Sequence, residues 1–342
     1  MIISASRRTD IPAFYHKWFM NRIRSGYCVV PNPFNIHQLS RIDLTSKDVE
    51  VIVFWTRNPK PLLSSLSELD RLGYKYYFQF TVMNNPIFID TNKLPLSSSI
   101  ETFQKLAESI GYEKVIWRYD PIIFSPNTDI DFHLQQYADI ARQLSGYTSR
   151  CVISFMDRYA KNNARLKNIE KEQKINFFSF EDIPEVFSVF LPSIAKIANQ
   201  YNMQLFSCAE SCDLDSYGIK HGKCIDDDYI NQVFQMEVNH KKDSSQRESC
   251  GCVKSKDIGM YDTCLFGCQY CYATTSFEKA RKNHREHNPN SPSLIGWYDI
   301  EPISNPHSAD INRFLFFRIS GKFDPYLRNV GTNTKTARVI LI

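Results

Sequence analysis

Short apolar runs punctuate the first two thirds of the chain: "IISAS" (2–6), "VIVFW" (51–55), "YYFQFTV" (76–82), "VIWRY" (115–119), "CVISF" (151–155) and "QLFSC" (204–208). They are too short for helices and apolar at consecutive positions, which predicts strands buried on both faces. Between them lie stretches with helical periodicity. "YHKWFMNRIRSG" closes at Gly26, "PLLSSLSELDRLG" opens at a proline and closes at Gly73, and "SSSIETFQKLAESIG" runs from serine caps to Gly111. Strand and helix in steady alternation predict parallel pairing through crossovers, hence an α/β fold of TIM-like (β/α) type, a partial or closed barrel.

Polar residues gather where these strands end. Arg7, Arg8 and Asp10 follow the first, Thr56, Arg57 and Asn58 the second, Asp120 the fourth and Asp157 the fifth. In a β/α barrel that rim is where sites are built. Strand ends also need polar loop residues for purely structural reasons, so the repetition carries more than any one position.

Composition narrows the setting. The 342 residues are 43% hydrophobic, enough for a sizeable core, and Lys plus Arg exceeds Asp plus Glu by 41 − 37 = 4. That mild excess permits an acidic partner without requiring one. The start lacks the order of a secretory signal, and no apolar run approaches the roughly 20 residues of a membrane span. The expectation is a cytoplasmic protein with no membrane association, whose ten cysteines serve as ligands, reactive thiols or core residues rather than disulfides. Cys28 and Cys151 stand alone at the heads of β-branched runs and read as small buried hydrophobes, whereas the other eight fall between 208 and 271.

Within "CLFGCQYCYA" (264–273), Cys264, Cys268 and Cys271 have the spacing C-x3-C-x2-C. Three cysteinates so spaced can hold three irons of a [4Fe-4S] cluster and leave the fourth without a protein ligand. The open iron can take the amino and carboxylate groups of S-adenosylmethionine, and an electron from the cluster then yields a 5′-deoxyadenosyl radical. Gly267 lets the backbone approach closely. The rival is a structural zinc with four ligands, which Cys250 and Cys252 could complete.

The strand ends add a resemblance. "SRRTDIPAFY" (6–15), "VIVFWTRNPKPLL" (51–63) and "VIWRYDPIIF" (115–124) resemble, in the same order, the "TDP" turn, the "TK-(N/S)-P" turn and the proline-isoleucine strand of radical S-adenosylmethionine enzymes of the branch that includes spore photoproduct lyase. "FIDTNKLPLSSSIETFQKL" is similar to that branch's "EP-x-x-P" connection, with Asp90 for the usual glutamate. Only the cluster strand has moved, from first to last, which implies a circularly permuted barrel; chain ends that lie close together permit this. The chain is also similar to a bacterial family of uncharacterised proteins defined by a radical-type cysteine cluster at the C-terminal end. The resemblance implies barrel strands from the second onward in 1–240 and a cluster loop, strand and helix completing the barrel in 241–290; the tail 291–342 lies outside it, lacks helix or barrel rhythm and has an open role. It places Cys264, Cys268 and Cys271 on the cluster and Tyr270 near the adenine. Thr9 and Asp10 would lie near the methionine end, with Thr56, Arg57 and Asn58 in the "TKN" turn, where Arg57, in place of a lysine, could pair with the methionine carboxylate. Gln79 and Thr81, and Arg118 with Asp120, would face the same interior or rim; the latter two are candidate catalytic groups, the alternative being a structural ion pair. An electron donor such as flavodoxin or ferredoxin is implied, with the substrate unnamed.

A second cysteine set lies upstream: Cys208 and Cys212, Cys224, then Cys250 and Cys252. The expectation is an auxiliary iron-sulfur cluster or zinc held by Cys208, Cys224, Cys250 and Cys252, with Cys212 spare as a ligand, thiol donor or inert residue. Glu210 and His221, nearby, are candidate ligands or proton carriers. The basic run "KARKNHREHN" could face nucleic acid, but without interleaved aromatics a solvated helix face is the better account. A metal-stapled binding protein without radical chemistry is the competing class.

Overall fold

The computed structural model describes residues 1–298. Its strands are β1 (Ile2–Ala5), β2 (Tyr27–Asn32), β3 (Asn35–Asp43), β4 (Val51–Thr56), β5 (Tyr76–Thr81), β6 (Val115–Ile122), β7 (Arg150–Phe155), β8 (Gln204–Cys208), β9 (Lys220–Gly222) and β10 (Lys256–Asp257). Eight of them form one parallel sheet in the order β10-β1-β4-β5-β6-β7-β8-β9, and β2 and β3 form a separate antiparallel hairpin. The last strand therefore lies beside the first, with Ile3 opposite Lys256 and Ser4 opposite Asp257. Among the described residues no pairing joins β9 to β10, so the sheet is an open parallel ladder and ring closure is not part of it.

Alternation along each strand sends its side chains to two different environments. Ile3, Ala5, Ile52, Phe54, Phe78, Phe80 and Trp117 pack with helices His16–Ser25, Leu66–Arg71, Leu96–Ile110, Ile130–Leu144 and Leu191–Gln200 in one continuous core. Aromatic stacking ties the layers, with Phe80 on Phe103 at 5.2 Å and Trp117 on Tyr137 at 4.7 Å between ring centres. The other face carries Ile2, Val51, Val53, Tyr77, Ile116 and Val152, and the chain from Cys224 to Val253 folds over it. Helices thus cover one face and a cysteine-bearing segment the other. Cys28 and Cys151 are fully buried in the helix-side core, as small hydrophobes.

Towards the C-terminal ends of the strands the second face turns polar, and both cysteine sets are there. The approach between β10 and the loop after β1 is tight: a Cβ on Gly259 would collide with Ser6 Oγ and Thr9 Oγ1. Asp257 binds this corner together, accepting from Ser4 Oγ at 2.8 Å, Ser6 Oγ at 2.6 Å and Arg8 Nη2 at 3.0 Å.

The basic run 279–288 forms most of helix Phe277–Glu286, with Lys279, Arg281, Lys282 and Arg285 exposed and Ala280 buried. The chain beyond it is more ordered than its turn-rich sequence suggests. Trp18 donates to the Ser291 carbonyl at 2.9 Å and Val29 N–H to that of Pro292, so residues 289–296 pack on the first long helix. The rest of the tail, 299–342, lies outside the described residues.

Candidate metal and cofactor site

The first set is a loop between β10 and helix Phe277–Glu286, strapped by the segment after β5. Gln269 N–H donates to the Ile89 carbonyl at 2.9 Å, Asn92 N–H to Phe266 at 3.1 Å, and Asn92 Nδ2 to Leu265 at 2.8 Å. Gly267 has a φ of 69° there, with the side chains of Thr91 and Asn92 against it, a conformation and a closeness that favour glycine. From the other side, helix Ala160–Gln173 grips the loop's carbonyls: Arg165 donates to Gln269 at 3.0 Å, Cys271 at 2.6 Å and Thr274 at 2.7 Å, and Asn162 to Tyr270 at 2.7 Å. Nothing in the sequence pattern pointed to Arg165 or Asn162, because their partners are backbone atoms more than a hundred residues away.

The turns after β1 and β4 supply the wall. Asp10 caps a short helix by accepting from Ala13 N–H at 3.0 Å, and it also accepts from Thr56 Oγ1 at 2.8 Å and Arg57 N–H at 2.7 Å. Burial nevertheless pushes its carboxyl up to about 7 against those hydrogen bonds. Thr9 Oγ1 lies 2.6 Å from Thr263 Oγ1 and accepts Met260 N–H at 3.0 Å. Asn58 is a turn former, accepting Lys60 N–H at 3.2 Å. The Cys264 thiol is pushed up to about 12 by burial, with Asp10 and Cys271 adding and the Phe266 and Asp10 backbones opposing.

Arg57 is the hub. Its guanidinium meets Asp90 through two bonds, at 2.6 and 3.0 Å, and reaches Cys268 Sγ at 2.9 Å and Tyr270 Oη at 3.2 Å. Burial works against the Asp90 charge, but Arg57 and Asn85 outweigh it and hold the carboxyl below the ordinary aspartate value. In this structure the carboxylate partner of Arg57 is Asp90. Tyr270 is partly buried against Ile123 and Leu166 and is part of the same knot.

The second set lies over the inner face of β5 to β8. Cys208 and Cys224 have their sulfurs 3.0 Å apart, Cys224 and Ile225 direct N–H groups at Cys252 Sγ at 3.3 and 3.4 Å, and Arg118 Nη1 reaches Cys224 Sγ at 3.0 Å. Arg118 is also held by both carboxylate oxygens of Asp120 and by Gln79 Oε1 at 3.1 Å, so the alternative reading of an Arg118–Asp120 ion pair is realised. Gln79 donates to the Cys224 carbonyl at 2.9 Å. Among the described residues Gln79 and Arg118 thus make their contacts with the second set, at Cys224. Thr81 sits opposite Arg118 in the ladder and is half-buried. Cys212 stands apart, lining a surface cleft with Glu210, His221 and Cys250. Burial raises Glu210 to about 7 while it accepts Phe155 N–H at 3.0 Å.

Arg7, named above only as a rim residue, joins the two sets. Its carbonyl accepts from Tyr272 Oη at 3.0 Å, next to Cys271, and its guanidinium lies 5.1 Å from the Trp55 ring centre. Burial opposes the Arg7 charge, yet Cys252 and Cys224 together with Asp257 hold its pKa above the ordinary arginine value.

Neither set is drawn to a point. Among the described residues, the trio of possible metal ligands with all donor atoms within 4.8 Å is Asp226, Asp227 and Asp228, and no three cysteine sulfurs come that close. All three aspartates are already engaged, Asp226 by Arg150 and Asp227 and Asp228 by Lys223. A tetrahedral zinc with bonds of about 2.3 Å would bring its sulfurs within about 4 Å of one another. A core of several irons and sulfides spreads its cysteinates wider, so the first set fits the cluster better than a single zinc.

Residues 2–273 match the family described as Domain of unknown function (DUF1848). No curated protein matches. A crystal structure from Bacteroides thetaiotaomicron, of a protein provisionally named an alpha-L-fucosidase, is similar at 10% identity over 71% of this chain and 83% of its own, with a TM-score of 0.24, too low to carry an argument.

Proposed function

The chain belongs to the DUF1848 family, and for it we propose a radical S-adenosylmethionine enzyme on a circularly permuted, partial β/α barrel. Cys264, Cys268 and Cys271 would hold a [4Fe-4S] cluster, and the loops after β1, β4 and β5 would border the cofactor. The observation that carries the proposal is the pairing of β10 with β1. It sets the three-cysteine loop beside the Thr9–Asp10 turn despite some 250 intervening residues, the separation of Thr9 from Met260 being 251. The donor chemistry fits: three thiols on one strapped loop, without the fourth close ligand a structural zinc wants.

When bound and reduced, such a cluster would supply the one electron that cleaves the sulfonium of S-adenosylmethionine into methionine and a 5′-deoxyadenosyl radical. The chain's own residues fix the setting. Arg57 donates to Cys268 Sγ and holds Asp90 in place, while the Arg57 N–H bond to Asp10 locks the β1 and β4 turns together. Arg165 clamps three loop carbonyls, which limits how far the cysteines can drift. Thr9, Thr56 and Asn58 shape the turns around them. An electron donor of the flavodoxin or ferredoxin kind in the cytoplasm is part of the proposal; no described helix is long and apolar enough to cross a membrane.

Anaerobic reconstitution followed by dithionite should give an electron paramagnetic resonance signal that shifts on adding S-adenosylmethionine. A chain with Cys264, Cys268 and Cys271 changed to alanine should lose that response. Bound zinc without iron in anaerobically purified protein would favour the metal-stapled binding protein instead.

A further inference from the structure

Buried cations without counter-ions point to missing negative charge, and the second cysteine set faces one. Among the described residues Arg7 makes no salt bridge, and its Nη2 is buried without any hydrogen-bond partner. Asp257, the nearest candidate, spends its carboxylate on Arg8 and on Ser4, Ser6 and the Arg7 and Gly259 amides. A guanidinium nitrogen left buried without a partner is destabilising unless an anion is near. Arg118, 5% exposed, is a second guanidinium aimed at the same thiols.

We propose that Cys208, Cys224, Cys250 and Cys252 form a second metal centre, held as four cysteinates and separate from the Cys264, Cys268 and Cys271 loop. Four elements bring them together: the end of β8, the loop after β9, and the two ends of the Cys250–Cys252 turn that folds back on it. The amides of Cys224 and Ile225 converge on Cys252 Sγ, a pattern that favours a thiolate over a thiol. Gly251, between the last two cysteines, is pressed against the Lys223 side chain, which keeps the turn next to Cys224.

The charges balance. Binding a dicationic metal or cluster core replaces four thiol protons, released to solvent, and leaves a net charge of −2 on the ligated group. The Arg7 and Arg118 guanidiniums lie beside that charge, although Asp120 already offsets part of the second. Cys28 and Cys151 show the contrast: each is buried in the apolar core, and among the described residues neither sulfur is hydrogen-bonded to a second thiol. No three of the described cysteine sulfurs lie within 4.8 Å of one another, so the wider span of an iron-sulfur core suits this set better than a single zinc, and metal analysis separates the two.

The test uses the full chain with Cys264, Cys268 and Cys271 changed to alanine, purified without oxygen from cells supplied with iron and zinc. The proposal expects this variant to keep about four irons per chain with matching sulfide. In the parent chain, Cys208→Ser with Cys252→Ser should remove that metal and leave the iron of the first set in place. A folded triple-alanine chain without metal, or a Cys208–Cys224 disulfide in its place, overturns the proposal. If the triple-alanine chain does not fold, metal content unchanged by Cys208→Ser and Cys252→Ser overturns it equally. Failure of the radical reading leaves this result untouched, because the first set's iron is counted separately.

Discussion

Removing Asp90 tests the Arg57 hub directly. The Asp90 side chain is 1% exposed and Arg57 15%, and two bonds of 2.6 and 3.0 Å join them. In Asp90→Ala the guanidinium keeps only a sulfur and a phenol as partners, and Asn85 Nδ2 loses its acceptor. Breaking one side of a buried pair costs about 3–5 kcal/mol, because the remaining charge stays desolvated. Arg57→Met with Asp90→Leu removes both charges while retaining volume, and such exchanges are often neutral. The single variant should therefore be the less stable. Urea unfolding of anaerobic, reduced, metal-free protein, followed by tryptophan fluorescence with buried Trp18 and Trp117 as reporters, measures all three chains. A loss below about 1 kcal/mol in Asp90→Ala, the range of an exposed pair, would refute the hub. A double variant worse than the single would refute it as well.

Other regions give further tests. His133 is buried, with Tyr119 Oη 2.8 Å from Nδ1 and the Ile123 carbonyl 3.0 Å from Nε2, and burial lowers it to about 4. The unfolded chain then binds the proton more readily, so stability is full above about pH 6.5, falls between 6.5 and 4 and levels off below. His133→Gln should flatten this loss by about 3 kcal/mol, from roughly 1.4 kcal/mol per pKa unit; parallel pH profiles in that window would contradict the reading. Arg165→Ala should speed amide hydrogen exchange across 264–276 and leave β5 and β6 unchanged, and Arg165→Lys should rescue little, since one ammonium cannot reach three carbonyls. Gly259→Ala should destabilise by about 1–3 kcal/mol through the collision with Ser6, and pairing it with Ser6→Gly should recover part of that in thermal melts.

The six apolar runs all became strands, β1 and β4 to β8, because buried parallel strands declare themselves by consecutive apolar residues. The helix ends at Gly26 and Gly111 were legible for a similar reason, a glycine closing each amphipathic stretch. β9 and β10 were not, since three and two residues leave no periodicity, and the β2–β3 hairpin was hidden by the largely exposed, polar β3. Spacing marked the first cysteine set, and clustering of thiols within a short stretch marked the second. Which strand residues go with which set was illegible, because Gln79 and Arg118 are assigned by their hydrogen bonds to Cys224, a contact set by tertiary folding. The Arg57–Asp90 pair was equally hidden: each residue was noted for its own motif, and nothing local couples positions 33 apart.

The most direct measurement is the product of S-adenosylmethionine after dithionite reduction of the reconstituted, anaerobic chain. The account predicts 5′-deoxyadenosine and methionine, abolished in Cys268→Ala. A chain that holds its four-iron cluster at Cys264, Cys268 and Cys271 yet leaves S-adenosylmethionine intact would contradict it.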